Sequence, residues 1–174
     1  MKTLLKHKDN LNKTSYVILL LMMFYGSLVV AQENPPIPVE VDVNTSRFLN
    51  FGSFITGDSG GTVSVDYNSI RTSSGDIILL NLGQTVSSAL FEVKVNPGTI
   101  ISIAPTPAIV MNGSNGGSVT LNIDSYSTGS TFITTSSSEV INDVYIGGTL
   151  SVGNSTASPA GNYNGTFTIT FIQQ

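Results

Sequence analysis

From Val39 to the C-terminus, apolar residues alternate with polar ones in almost every segment of the chain. A period of two places alternate side chains on opposite faces of a β-strand. No segment shows the i, i+3, i+4, i+7 spacing of an amphipathic helix. The alternating sets are Val39, Val41 and Val43; Val63, Val65 and Tyr67; Ala89, Phe91, Val93 and Val95; Val119, Leu121 and Ile123; and Tyr163, Phe167, Ile169 and Phe171. This pattern predicts an all-β fold.

Between the alternating sets lie short stretches rich in Gly, Pro, Asn and Ser, which are typical of turns. Residues 58–61 and 73–75 are two of the predicted turns. Residues 76–82 are apolar on both parities, which predicts a central strand or one that is covered on both faces. About eight to ten short strands at this spacing predict a single antiparallel β-sandwich, Ig-like or pilin-like.

Residues 1–31 have the organisation of a secretory signal peptide. Four lysines precede an apolar run at residues 16–30, and Ala31 follows two valines at the end of that run. The alternative is a retained membrane anchor, but a run of roughly 15 apolar residues is short for a bilayer span of about 20. We therefore expect cleavage after Ala31, no membrane insertion afterwards, and export to the periplasm, the cell surface or the medium.

Removal of the signal leaves 143 of the 174 residues, the size of one ordinary domain. Residues 32–38 contain three prolines and predict an extended N-terminal tether. Residues 39–174 are the predicted β-sandwich domain. Because the chain has no Cys, neither disulfides nor a lipid anchor on Cys are available, and packing alone must stabilise the domain.

The mature chain is acidic, since residues 32–174 hold three basic and ten acidic residues, a net charge of −7. Such a charge repels nucleic acid, so nucleic-acid binding is excluded as a function class.

The mature chain also lacks the side chains that most catalytic and metal sites require. The one histidine, His7, lies in the signal, so no imidazole remains for acid–base catalysis or metal binding. Lys94 lies within an alternating strand. The acids Asp66, Asp76, Glu92 and Asp124 fall on polar positions or at strand starts, where carboxylates stay solvated. We therefore predict no enzymatic activity, no catalytic residue, no metal site and no cofactor.

Three blocks resemble an exported bacterial β-domain family of unknown function, the DUF4402 family. They are GTVSV at 61–65 with Arg71 and Gly75, ALFEV at 89–93 with Pro97-Gly98, and GGTLSVG at 147–153 with the GNYNGTF of residues 161–167. The resemblance covers residues 48–171 and implies an exported β-domain without established site residues. The last strand is also similar to that of spore-coat-U-like and chaperone–usher pilin subunits.

Two functions are compatible with this chain. The first is a structural or adhesive module of the cell surface, a pilin-like subunit that meets protein partners or itself through strand edges. Val39, Val41 and Val43 are the candidate exchanged strand. The short link after that strand, residues 45–46, favours pairing within the same chain.

The second function is a carbohydrate or small-ligand binding module of the cell envelope. Tyr126 and Tyr145 lie on the parity opposite to their buried neighbours, and outward tyrosine rings can stack on a sugar. Two scattered surface tyrosines are also common on proteins that bind no glycan. If the two rings prove coplanar and adjacent, the binding hypothesis gains; if they lie on opposite sheets, it loses its only support.

Overall fold

The structure is a computed structural model that describes residues 39–43, 47–83, 85–135 and 141–174. The predicted signal peptide at 1–31 and the predicted tether at 32–38 lie outside the described residues. The strands are β1 Glu40–Val43, β2 Ser53–Val65, β3 Arg71–Leu80, β4 Ala89–Lys94, β5 Ile100–Ile103, β6 Ile109–Asn112, β7 Ser118–Tyr126, β8 Thr131–Ile133, β9 Asn142–Val152 and β10 Phe171–Gln173. Within the described ranges there is no helix, so the all-β prediction is confirmed.

The strands form two antiparallel sheets that pack together as a β-sandwich, as predicted. In the seven-stranded sheet the order is β1-β4-β9-β2-β3, with β7 also pairing with β9 and β6 pairing with β7. The three-stranded sheet has the order β10-β5-β8. Both sheets bury the faces that the alternation assigned to the core, because burial of apolar surface is the main force that holds two sheets together.

The core is built from the predicted inward positions. Fully buried side chains, each worth about 1.5–3 kcal/mol of burial free energy, lie on strands of both sheets. They include Val63, Val65, Val93, Val95, Ile101, Val144 and Ile146. The register of β2, β4 and β7 that the alternation predicted is therefore present.

Strand β9 passes from one neighbour to another at Gly147. Its first half pairs with β4, ending at Ala89 opposite Ile146, and its second half pairs with β2, beginning at Val65 opposite Gly148. A Cβ at Gly147 would overlap the carbonyl oxygen of Val65. The glycine thus permits the close approach of β2 at the point where the partner on this edge of β9 changes from β4 to β2.

The prediction of a central strand, or of one covered on both faces, at residues 76–82 is wrong. These residues form the second half of β3 and the loop after it, and β3 pairs only with β2 among the described strands. Ile77 is buried, but Ile78 is 62% exposed. A run that is apolar on both parities therefore lies at a sheet edge, with one apolar side in the core and the other at the surface.

The predicted turns at residues 58–61 and 73–75 are also wrong. Both stretches lie inside long strands, where Gly61 opposes Gly75 and the β2–β3 register shifts between Thr56 and Gly61. Gly60 and Gly75 have positive φ angles of 67° and 75°. The glycines therefore form a bulge in a continuous hairpin, and the chain reverses only at residues 66–70.

Candidate functional site

The C-terminal strand region, residues 163–174, is held in place at its start by Tyr163. The Tyr163 hydroxyl donates to the Pro159 carbonyl at 2.6 Å, and the Tyr163 backbone forms a β-bridge with Gly113. A Cβ at Gly165 would come within 2.7 Å of the Met111 side chain. The Tyr and Gly of the GNYNGTF block therefore seat the C-terminal strand region beside β6.

The inward side chains of this region pack on the opposing sheet. Phe91 of β4 has ring-centroid distances of 6.2 Å to Phe167 and 6.0 Å to Phe171, both in tilted geometry. Ile169 also packs against the core. The predicted inward aromatic ladder of the last strand is confirmed.

The backbone of the same region is only partly hydrogen-bonded. Ala104 N donates to Thr170 O at 2.9 Å, and β10 continues this pairing with β5. Between that point and the Tyr163 bridge, residues 164–169 take part in no hydrogen bond among the described residues. The facing segment contains Pro105 and Pro107, which have no N–H to donate. The ladder is consequently interrupted in its middle.

The other side of the C-terminal strand region is open. Thr170 O and Gln174 N bond to β5, so even-numbered residues direct their backbone groups towards that strand. Backbone groups alternate in direction along a strand, so odd-numbered residues direct theirs to the opposite side. No described strand pairs with that side. The outward backbone groups belong to Gly165, Phe167, Ile169, Phe171 and Gln173; we call them the open edge.

The half of the sequence that contains the open edge is almost free of charge. Residues 95–174 hold three charged side chains, Asp124, Glu139 and Asp143, and residues 144–174 hold none. No proline follows Pro159. Charged side chains and prolines are the usual protection of an exposed strand edge, and the open edge has neither.

The first strand, β1, shows the protection that the open edge lacks. Lys94 Nζ of β4 lies 3.0 Å from Asp42 Oδ2 and 3.9 Å from Glu40 Oε1. The hydrogen bond to Asp42 and the charges of Asp42 and Glu40 raise the pKa of Lys94 above its usual value. Edge strand β1 therefore carries two carboxylates that lie beside the ammonium group of Lys94 on β4.

The candidate exchange strand is paired within its own chain. Val41 opposes Val93 and Val43 opposes Phe91 in the antiparallel β1–β4 pair. Val39 and Val41 are half-buried and pack against the core, and the Val43 side chain lies outside the described side chains. The structure thus shows β1 in the self-paired arrangement.

The two candidate stacking tyrosines lie on neighbouring strands of the same sheet but on its opposite faces, so their rings are not adjacent. The β7–β9 register shifts between Ile123 and Ser125, and this shift turns Tyr126 to the buried face, opposite Ile146. Tyr126 packs against the core, and burial followed by the Asp124 charge raises its pKa. Tyr145 is adjacent to Ile146 in β9, so its side chain points to the outer face.

On that outer face, Tyr145 belongs to a polar cluster that the sequence did not reveal. The Arg47 guanidinium carbon lies 4.7 Å from the centroid of the Tyr145 ring, and Arg47 Nη2 donates to Ser69 Oγ at 3.5 Å. Ser69 Oγ lies 3.1 Å from the hydroxyl of buried Ser88 and accepts the Ser88 N–H at 2.9 Å. These contacts hold Ser69 at a φ of 65° in the β2–β3 turn. Nothing local in the sequence marks this serine.

Two of the acids that were weighed for catalysis, Asp66 and Asp76, accept structural hydrogen bonds. Asp66 Oδ1 accepts the Ile70 N–H at 2.7 Å inside the β2–β3 turn. Asp76 Oδ2 accepts the Ser59 N–H at 3.4 Å beside the bulge. The described residues include no group of three or more His, Cys, Asp or Glu side chains that would hold a metal ion. None of the described residues forms a helix long and apolar enough to cross a membrane.

Comparison with known proteins identifies one family. The profile of a family described as "Domain of unknown function (DUF4402)" matches residues 41–172, from β1 to β10. No curated protein and no solved structure matches the chain.

Proposed function

The chain belongs to the DUF4402 family, and we propose that it is an exported, non-catalytic structural or adhesive β-sandwich module that assembles through strand edges. The N-terminal sequence supports export, because residues 1–31 combine four lysines, an apolar run and a terminal Ala31. A cysteine-free sandwich with a buried aliphatic core can act outside the cytoplasm without disulfides.

The observation that carries the proposal is the open edge. An exposed row of unpaired N–H and C=O groups is a template for a strand from another chain. Natural sandwiches protect such edges unless a partner covers them. An unprotected edge on a folded domain is therefore suited to assembly.

A second feature of the three-stranded sheet supports adhesion or packing. Ile100 and Ile133 are cross-strand partners on its outer face and are 42% and 61% exposed. Ile172 of β10 alternates with inward Phe171 and is 44% exposed. This aliphatic outer face adjoins the open edge, and apolar patches at a surface mark sites of protein contact.

The described polar groups support a role without catalysis, because Asp66, Asp76 and Lys94 are engaged in a turn, a bulge and an edge pair. His7, the only imidazole of the chain, belongs to the predicted signal. After cleavage, the domain has neither an imidazole nor a thiol to act as base or nucleophile.

Fractionation of cells that make the protein tests this proposal. We expect the chain in the envelope or the medium, with Gln32 as its first residue, in particles larger than a monomer under non-denaturing conditions. A variant without residues 1–31 is the control and should stay in the cytoplasm. A full chain beginning at Met1 in the cytoplasm, or a product found only as a free monomer, would contradict the proposal.

A further inference from the structure

We propose that a second copy of this chain covers the open edge, with the two C-terminal strand regions pairing antiparallel about a twofold axis. This inference rests on the proposed function and names the partner of its assembly surface. In such a pair the two three-stranded sheets join into one continuous sheet.

Several backbone groups along the open edge are unpaired. The N–H and C=O groups of Phe167, Ile169 and Phe171 point sideways to the open edge, and the side chains of the same residues pack on Phe91 and the core. Core packing therefore fixes the direction in which these groups point. These groups are therefore already oriented for hydrogen bonding to a neighbouring strand.

The edges at β1 and β3 carry a protection that the open edge lacks. Strand β1 carries Glu40 and Asp42 beside Lys94. Strand β3 carries Arg71, Asp76 and a glycine bulge. The open edge has neither charge nor proline, and an edge without them favours pairing with another strand.

The same strand of a second copy fits the open edge. Two copies of one strand that run antiparallel about a twofold axis are self-complementary, since each donor of one copy meets an acceptor of the other. Residues 144–174 hold no charge, so two acidic chains can meet here without like charges in the contact. The exposed Thr166, Thr168 and Thr170 then form cross-strand threonine pairs.

Two segments of the same chain are poor occupants. Residues 32–38 contain Pro35, Pro36 and Pro38, which cannot donate to a ladder. Strand β1 is already paired with β4. A second copy supplies the missing donors without breaking any pair that the structure contains.

The interface consists of one strand from each copy, and contacts at the small end of the size range are weak and transient. We therefore expect a reversible dimer whose fraction rises with protein concentration.

Sedimentation equilibrium of residues 32–174, over a hundredfold concentration range at physiological salt, tests the inference. The variant Thr166→Lys/Thr168→Lys places like charges opposite each other in the dimer and should weaken dimerisation at least about tenfold. The control Thr72→Lys/Ser74→Lys adds the same charge at exposed positions of β3 and should leave the dissociation constant unchanged. Circular dichroism and the Tm show whether each variant is folded.

A charge swap separates loss of pairing from loss of folding. Thr166→Glu/Thr168→Glu should also fail to dimerise alone, but mixed with the Lys variant it should form a heterodimer of at least wild-type affinity. The same swap at Thr72 and Ser74 should have no effect.

Two results would overturn the inference. If the wild type dimerises and the Lys variant at 166 and 168 dimerises equally well, another surface mediates association and the proposed assembly function stands. If the wild type is monomeric throughout, the twofold pairing is wrong, while export and cellular assembly remain to be judged by the fractionation.

Discussion

The Arg71 side chain donates hydrogen bonds to three backbone carbonyls. Its Nη1 donates to the carbonyls of Phe51 at 3.0 Å and Ser53 at 3.2 Å. Its Nη2 donates to the Leu80 carbonyl at 3.0 Å and to Asn81 Oδ1 at 3.3 Å. The guanidinium thus ties the start of β2 to the end of β3, which gives the arginine of the family-like block a structural role.

Arg71→Met should lower the free energy of unfolding by about 2–3 kcal/mol, because hydrogen bonds from a charged donor are lost and half-buried carbonyls lose a partner. Urea denaturation measures the change. Arg47→Met is the matched control, and its loss of an exposed ring contact should cost less than about 1 kcal/mol. Equal costs for both variants would show that the Arg71 carbonyl contacts do not stabilise the fold.

The stability contributed by the β1 edge should depend on pH through Lys94. Its pKa is raised in the folded state by Asp42 first and then by Glu40. A raised pKa contributes stability that is present below the unfolded value of 10.5 and lost as the pH rises through the folded value. Lys94→Met should therefore lower the Tm near neutral pH, and the Tm values of the two proteins should converge in strong alkali. A Tm difference that persists unchanged at high pH would contradict an electrostatic origin.

At the level of elements, the C-terminal strand region has one buried and one exposed face. Phe167→Ala should cost about 2–4 kcal/mol, since the ring is half-buried against Phe91, whereas Thr168→Ala should cost less than about 1 kcal/mol. Chemical denaturation of the two variants provides the comparison. Similar costs would indicate a different register, because a slip of one residue exchanges the two faces.

Strand β1 is the element on which strand exchange depends. Deletion of residues 32–44 should lower the free energy of unfolding by about 2 kcal/mol or more, because Val39 and Val41 leave the core and β4 loses its partner. Deletion of residues 32–38 alone is the control and should leave stability unchanged. A peptide of residues 39–45 should restore the lost stability. Equal stability of both deletions would mean that β1 does not stabilise its own chain.

At the level of the whole molecule, the fold depends on packing between the two sheets. Chelators should leave the Tm of residues 32–174 unchanged, since the described residues hold no cluster of metal-binding side chains and burial supplies the stability. Thermal melts with and without a chelator measure this. A fall of several degrees would reveal a bound metal.

Charge is also distributed unevenly over the whole molecule. The three basic residues of residues 32–174, Arg47, Arg71 and Lys94, all precede residue 95. The three-stranded sheet, with the open edge and its outer isoleucines, comes from the part that follows. The charged edges at β1 and β3 come from residues before 95, and the open edge comes from the nearly uncharged part that follows.

The alternation by itself determined which side chains of β2, β4 and most of β7 are buried, and together with the strand spacing it predicted an antiparallel sandwich. Burial follows from local parity, because successive side chains of any strand point to opposite faces. Val63, Val93 and Leu121 could be assigned to the core before any neighbour was known, and the Tyr and Gly spacing of residues 161–165 marked the family.

Only the tertiary structure decided which strands have two neighbours. A strand's neighbours are set by pairing between residues far apart in sequence. The local alternation of polar and apolar residues does not indicate which strands pair. Residues 76–82 were therefore predicted as central and lie at an edge, and Gly60 and Gly75 were assigned to turns although they form a bulge. The bulge beside Asp124 reversed Tyr126 for the same reason. The open edge exists because no described strand pairs with that side of the C-terminal strand region.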